Sequence, residues 1–392
     1  MRPLEKIDVA GKTVLVRVDF NVPLNEEQKI TDDTRVRFVL PTLRHLIDQD
    51  AAIVLASHLG RPKGQPAPEL SLKPVAEHLS RLLERPVTMA TDCVGAATAE
   101  QVSRLGKGEV LLLENLRFHA GEKNNDDEFA AALAENIDVY VNDAFAVSHR
   151  EHASVVAVTR HVPVRAAGFL LTKEIKAFND AMADPVRPLV AIIGGAKVSS
   201  KLAALYNMLN RVNKLIIGGA MANTFLKARG TGVGQSKVES DLLDEAVTIM
   251  TAARDKNIDL LLPVDVAAAE KVAADAPFQY VAIEEIPDQA MALDIGPDSV
   301  RQFAAVINEA KTIIWNGPMG IFEMEAFAAG TRGIARAVAE SEAFSVIGGG
   351  DTVSAVQACG KTASMSYIST GGGAFLMLME GKTLPGVAAL ED

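Results

Sequence analysis

The sequence predicts an α/β protein of two doubly wound, parallel-sheet domains. Short apolar runs alternate with amphipathic helical stretches along the chain, the pattern of β-α-β crossovers. At 392 residues the chain is too long for one typical core, so two domains of about 200 residues are expected. The apolar runs also stop in different chemistry in the two halves, basic in the first and glycine-rich in the second.

In the first half, run 14–18 ends in Asp19, Phe20 and Asn21. Run 53–56 ends in Ser57, His58, Leu59, Gly60 and Arg61, followed by a loop with three prolines over 61–70. Run 110–113 leads into Glu114, Asn115, Leu116 and Arg117, and run 139–141 into Asn142 and Asp143, with His149, Arg150 and His152 soon after. Helices are expected over 35–48, 72–84 and 126–136. A helix over 172–182, closed by the proline-bounded segment 184–188, marks the expected hinge. The domains are then 1–171 with about 380–392, and 172–379 including the hinge helix.

In the second half, run 190–193 meets Gly194-Gly195-Ala196-Lys197 and run 215–217 meets Gly218-Gly219-Ala220. Run 313–315 meets Asn316-Gly317-Pro318-Met319-Gly320, run 346–347 meets Gly348-Gly349-Gly350-Asp351-Thr352, and run 367–369 meets Thr370-Gly371-Gly372-Gly373. Helices are expected over 199–210, 240–256, 299–310, 326–341 and 352–359. Carboxyl ends of parallel strands are where open α/β folds bind ligands, and helix-opening amides favour phosphate. Five glycine stops on one sheet edge therefore suggest a nucleotide floor.

The net charge of −11 argues against nucleic acid or anionic membrane as partner, and makes the strand-end Arg and His cluster of the first half stand out. Such a cluster suits a small, strongly anionic ligand. Cys93 and Cys359 form no C-x-x-C pair and read as reduced thiols. No apolar stretch reaches membrane-span length and the N-terminus has no apolar signal core, so the expected compartment is the cytoplasm.

Several motifs have two readings. Lys197 and Lys201, four apart at an expected helix start, share one face and can point at a ligand; the alternative is a tight turn with two surface lysines. Asp351 or Thr352 can cap a helix opened by Gly349 and Gly350, or Asp351 can hold Mg²⁺, which favours one or two carboxylates plus phosphate oxygens. Glu323 can bind ribose hydroxyls or sit free in its loop. Asp19 and Asn21 can hydrogen-bond a substrate hydroxyl. Arg35 opens a helix, where the dipole disfavours a cation, so an anion is expected nearby, either a ligand or Asp32 or Asp33. His58, His149 and His152 lack the spacing of a tetrahedral zinc site.

Eight ordered stretches resemble the phosphoglycerate kinase family: 17–23 (RVDFNVP), 57–62 (SHLGRP), 114–118 (ENLRF), 142–145 (NDAF), 194–198 (GGAKV), 315–318 (WNGP), 348–352 (GGGDT) and 369–373 (STGGG). Met319 stands where the family usually has valine, and Ala146-Val147-Ser148 where it usually has Gly-Thr-Ala. The resemblance implies a monomer of two Rossmann-like domains joined by a hinge helix, with the C-terminal segment returning to the first domain. It implies Mg²⁺-dependent, reversible transfer between 1,3-bisphosphoglycerate and ADP, giving 3-phosphoglycerate and ATP. Substrate contacts then fall on Asp19, Phe20, Asn21, Arg35, His58, Leu59, Gly60, Arg61, Arg117 and Arg150. Nucleotide contacts fall on Gly195, Lys201, Gly219, Asn316, Pro318, Glu323, Gly349, Gly350, Asp351 and Thr352. Arg35, Lys197, Gly371 and Gly372 match positions that balance charge on the transferred group, and Asp351 the position that holds the metal.

The residue chemistry agrees. A carboxylate acceptor is already ionised at neutral pH, so no general base is required, and no Ser-His-Asp set or isolated carboxylate dyad is evident. What the reaction needs is in-line positioning and compensation of spread negative charge. A dinucleotide-dependent dehydrogenase would need G-x-G-x-x-G after an early strand, and the first turn is Asp-Phe-Asn instead. A non-catalytic periplasmic-type binding protein fits poorly with the lysine-bearing loop.

Overall fold

A computed structural model describes residues 1–391. The chain divides into two compact units, one of Met1–Ile175 with the residues from Thr383 onward, the other Lys176–Lys382. The helix Phe169–Met182 carries the chain from the first to the second.

The first unit holds a six-stranded parallel sheet. Its strands are β1 (Thr13–Arg17), β2 (Ala52–Ala56), β3 (Val87–Met89), β4 (Val110–Leu112), β5 (Val139–Asn142) and β6 (Val164–Ala167), in the order β3-β4-β2-β1-β5-β6. All five residues of β2 are buried, as expected for a strand covered by helices on both faces. Helix Thr34–Asp48 lays Val36, Val39, Leu43 and Leu46 on this sheet, at the helical spacing of its apolar residues. The C-terminal segment also packs in this unit: the Asn142 side chain donates to the Gly386 carbonyl at 3.2 Å, and the Gly386 amide donates to the Ser148 carbonyl at 2.9 Å.

The second unit holds β7 (Leu189–Ile193), β8 (Lys214–Ile217), β9 (Asp259–Leu261), β10 (Asp265–Ala269), β11 (Phe278–Ala282), β12 (Met291–Ile295), β13 (Thr312–Asn316), β14 (Phe344–Gly348) and β15 (Tyr367–Ile368). Six form a parallel sheet, β15-β14-β13-β7-β8-β9, and three an antiparallel sheet, β11-β10-β12. Trp315 in β13 is fully buried in the core, with Val190, Ile192, Phe303 and Ile347.

Most expected helices form within a few residues of their expected ends. The antiparallel sheet, the short strands β3, β6 and β9, and the helices Ala96–Ser103, Met221–Ala228 and Gly372–Met379 are additions to the expected set. Two local readings change. The helix expected from 199 starts at Leu202, with Lys201 at its N-cap and Lys197 in the preceding turn, so the two lysines do not share a helix face. Gly349, at φ 97°, takes the N-cap of helix Gly350–Ala358, so Asp351 and Thr352 lie in its first turn and neither side chain caps it.

Candidate functional site

The parallel register places the functional loops of each sheet in a row. In the first unit Arg17 of β1 stands opposite Ala56 of β2 and Asn142 of β5, and Leu55 opposite Leu112 of β4. The residues that follow these strands therefore emerge along one edge, where parallel sheets present ligand sites. Asp19 accepts from Arg35 through Oδ2 at 2.8 Å and from the Asn21 amide through Oδ1 at 3.2 Å. Asn21 Oδ1 accepts the Gly60 amide at 2.8 Å, and Arg117 donates to the Gly60 carbonyl at 2.7 Å. Asn115 fastens the same loop by donating to the Leu59 and Leu70 carbonyls at 2.7 and 2.9 Å. The anion expected near Arg35 is thus Asp19, while Asp33 pairs with Arg37 instead. Phe20 and Leu59 send their side chains into the core, leaving only their backbones at the edge. Arg61 and Arg150 are exposed.

Beneath this edge lies a buried polar network. Arg17 and Glu122 are both fully buried, with Arg17 Nη2 at 3.9 Å from Glu122 Oε1. Arg17 Nε donates to Ser154 Oγ at 2.8 Å, Nη1 to the Val18 carbonyl, and Nη2 reaches His58 Nδ1 at 3.3 Å. Glu122 accepts from the Ser154 amide and hydroxyl at 3.0 and 2.8 Å. Because a guanidinium can only donate, His58 Nδ1 is its acceptor and the neutral ring carries its proton on Nε2. Burial, reinforced by Arg17, Arg117 and Arg35, holds His58 well below its ordinary pKa. Burial and then Arg150 push His149 down to about 4. Burial and the neighbouring Arg17 and Arg150 bring Arg117 down to about 10, and its buried Nε has no hydrogen-bond partner. The edge is therefore crowded with positive charge, which an anion would relieve.

In the second unit Asn316 of β13 stands opposite Ile193 of β7 and Gly348 of β14, and Ile193 opposite Ile217 of β8. Gly194, Gly218, Gly317 and Gly349 follow directly in one row. The loops interlock through their backbones. The Gly195 amide donates to the Pro318 carbonyl at 3.1 Å, Gly219 to Met319 at 3.1 Å and Met221 to Gly195 at 3.0 Å. A Cβ at Gly194 would collide with the Pro318 carbonyl, and one at Gly219, where φ is 67°, with the Gly195 backbone. Met319 is buried against Gly218, so the longer side chain at this position fills core space.

Asn316 organises the floor. Its Nδ2 donates to the Gly348 carbonyl at 2.8 Å, and its Oδ1 accepts from Lys201 Nζ. The Gly317 amide donates to Thr352 Oγ1 at 2.6 Å. A Cβ on Gly372 would lie 3.2 Å from the Gly349 Cα, so the N-termini of helices Gly350–Ala358 and Gly372–Met379 adjoin and their unsatisfied amides converge. Burial lowers Lys201 to about 8, against the opposing pull of Asp351 and Glu380. Lys197 is exposed in a turn that Glu239 clamps by accepting from the Ser199 hydroxyl at 2.6 Å.

A cavity of about 390 Å³ opens over this floor. Gly195, Gly219, Pro318, Glu323 and Asp351 line it, as do Val272, Met291, Leu293, Ile321 and Lys237, which sequence reasoning missed. Its walls are apolar and its polar groups few, the usual make-up of a small-molecule site. Asp351 is exposed beside the helix-opening glycines and lines this cavity. A single exposed carboxylate beside helix-opening amides fits the modest protein share of a Mg²⁺ shell.

Comparisons with known proteins agree over the chain. The family model for phosphoglycerate kinase matches residues 4–382. A curated phosphoglycerate kinase from Desulfosudis oleivorans is 61% identical over 391 residues, covering 100% of this chain and 99% of that protein. The solved structure of phosphoglycerate kinase from Coxiella burnetii superposes with a TM-score of 0.91 at 42% identity, covering 99% of this chain and 98% of the other. That from Pyrococcus horikoshii gives a TM-score of 0.85 at 35% identity, covering 100% and 98%.

Proposed function

The chain belongs to the phosphoglycerate kinase family, and from that premise we propose that it transfers a phosphoryl group reversibly between 1,3-bisphosphoglycerate and ADP, giving 3-phosphoglycerate and ATP. The observation that supports this most is the crowded cationic edge of the first unit, where Arg117 keeps a buried, unpartnered Nε. An anionic phosphoglycerate at this edge would offset that positive charge. Asp19, Asn21 and neutral His58 offer hydrogen bonds to its polar groups, the Phe20, Leu59 and Gly60 backbones shape the edge, and Arg35, Arg61, Arg117 and Arg150 supply charge.

The nucleotide is assigned to the 390 Å³ cavity, its base against the apolar wall and its ribose near Glu323. Gly195, Gly219, Asn316 and Pro318 form the floor. Its phosphates lie toward Lys201, the amides of Gly349 and Gly350, and Asp351 and Thr352. Asp351 is the residue that would hold Mg²⁺, which when bound neutralises phosphate charge.

Transfer to a carboxylate calls for no proton abstraction, and neutral His58 and His149 are not asked to act as bases. Arg35 and Lys197 offset negative charge on the transferred group, and the Gly372 amide adds a donor beside the Gly371 amide, which Ser369 Oγ holds at 3.3 Å. Acceptor and donor are held on separate units, so in-line transfer depends on domain closure, which also excludes water. The partners are small molecules, the protein acts as a monomer, and its compartment is the cytoplasm. Among the described residues no helix is long and apolar enough to cross a membrane.

The test is turnover of purified protein with ATP, 3-phosphoglycerate and Mg²⁺, coupled to reduction of the acyl phosphate product. Turnover that stops when Mg²⁺ is chelated supports the reading. No turnover with nucleotide binding intact removes it.

A further inference from the structure

We propose that Asp92, Cys93 and His119 form a binding site for a zinc-class divalent ion, separate from the magnesium of the phosphoryl transfer. One carboxylate oxygen, one sulfur and one imidazole nitrogen lie within 4.8 Å of one another, the only such group of three among the described residues. They come from two segments of the first unit. Cys93 is buried, and its amide donates to Asp92 Oδ1 at 2.6 Å, which fixes the two neighbours relative to each other. His119 follows the turn Leu116–Phe118, rests its ring on Phe129 with centroids 5.4 Å apart, and brings Nε2 to 2.6 Å from the same Asp92 oxygen.

The donor set selects the ion. Thiolate and imidazole suit zinc or cobalt, whereas magnesium prefers oxygen ligands in octahedral array. With metal–sulfur bonds of about 2.3 Å and metal–nitrogen or –oxygen bonds of about 2.0 Å, tetrahedral donors stand about 3.3–3.8 Å apart. A sulfur and a nitrogen or oxygen donor stand about 3.5 Å apart in such a shell, so the sulfur has to close by at most about 1.3 Å, and the Asp92–His119 pair to open by about 0.7 Å. Asp92 and His119 have side chains 47% and 34% exposed, so both have room for that shift. Water completes the shell.

Charge also balances. The Asp92 carboxylate and a Cys93 thiolate neutralise a divalent ion, while the nearby Glu122 is already matched by Arg17. Loading breaks the Cys93 S–H bond and forms a sulfur–metal bond, and one proton leaves to solvent with no change of oxidation state. The ion would tie residues 92–93 to the turn that carries Arg117, whose guanidinium holds the Gly60 carbonyl at 2.7 Å.

The experiment titrates chelator-stripped, reduced protein with Co²⁺ and then Zn²⁺. The expected result is one equivalent of cobalt with a thiolate-to-cobalt charge-transfer band and tetrahedral d–d bands, bleached by zinc and insensitive to excess Mg²⁺. C359A should keep the bands and C93A should lose them. D92N and H119A should weaken cobalt binding by more than about tenfold, since even outer-shell changes cost that much. Zinc should raise the melting temperature of the wild type and not of C93A. The proposal is overturned if no thiolate band appears, if C93A retains it, or if C359A abolishes it; the three side chains would then be a hydrogen-bonded pair beside a buried thiol. None of these readouts depends on kinase activity.

Discussion

Glu122→Gln separates the charge of the buried network from its shape. Arg17 and Glu122 are both fully buried and 3.9 Å apart, and the substitution leaves the guanidinium without its counter-charge. Removing one partner of a buried pair costs about 3–5 kcal/mol. Arg17 keeps its bonds to Ser154, the Val18 carbonyl and His58, so the lower end, about 3 kcal/mol, is expected, or about a hundredfold in the unfolding equilibrium of the first unit. Burial alone would raise the Glu122 carboxyl, but His152, Arg17 and Ser154 outweigh it and hold it below its ordinary 4.5. A depressed folded pKa contributes stability above the unfolded value and loses it as pH falls through the folded one. The variant should therefore lose stability at neutral pH and show a shallower fall toward acid. Urea unfolding by far-ultraviolet circular dichroism, with hydrogen exchange of the β1 and β5 amides, measures both. The single tryptophan, Trp315, lies in the second unit and does not report on this site directly. Arg17 keeps its bond to His58, so the His58 tautomer is preserved and the KM values for 3-phosphoglycerate and ATP should both stay unchanged. A cost below about 1 kcal/mol would overturn this assignment, because it would put the pair in the range of exposed ion pairs.

Lys197→Ala should lower kcat by several orders of magnitude with modest effect on nucleotide KM, checked by steady-state kinetics, since an exposed lysine in the glycine turn is assigned to the transferring group rather than to the floor. Arg61→Ala should raise the 3-phosphoglycerate KM far more than the ATP KM in the same assay. Asp143→Asn should flatten the pH dependence of stability. Burial raises this carboxyl to about 7, so its folded state favours the proton, and stability is full below the unfolded value near 4 and falls as pH rises toward 7. The wild-type loss over that window is about 4 kcal/mol, of which about 2.6 kcal/mol falls between pH 5 and pH 8, and denaturant midpoints of the two proteins at those pH values measure the difference.

The strand ends were legible because each apolar run stops at a chemically distinct turn, and the parallel register turns those stops into two rows. The wall of the 390 Å³ cavity was not. It comes from β12 and neighbouring segments, and the central strand of that sheet reads Asp-Val-Ala-Ala-Ala while its edge strand β11 begins with three exposed residues, neither giving a buried β pattern. The helix Gly372–Met379 is apolar nearly all round, so it carries no amphipathic period. Long-range pairings escaped for a simpler reason. Arg17 meets Glu122, and Arg35 meets Asp19, across separations that local pattern does not encode. The shared face of Lys197 and Lys201 presupposed a helix through both, whereas the chain keeps a turn there and delivers Lys201 to Asn316.

The division of labour between a cationic edge and a glycine floor is tested most directly by calorimetric titration of 3-phosphoglycerate and of Mg-ADP into Arg117→Ala and Asn316→Ala. Arg117→Ala should lose 3-phosphoglycerate binding and keep Mg-ADP, and Asn316→Ala should do the reverse. Equal loss of both ligands in either correctly folded variant would contradict it.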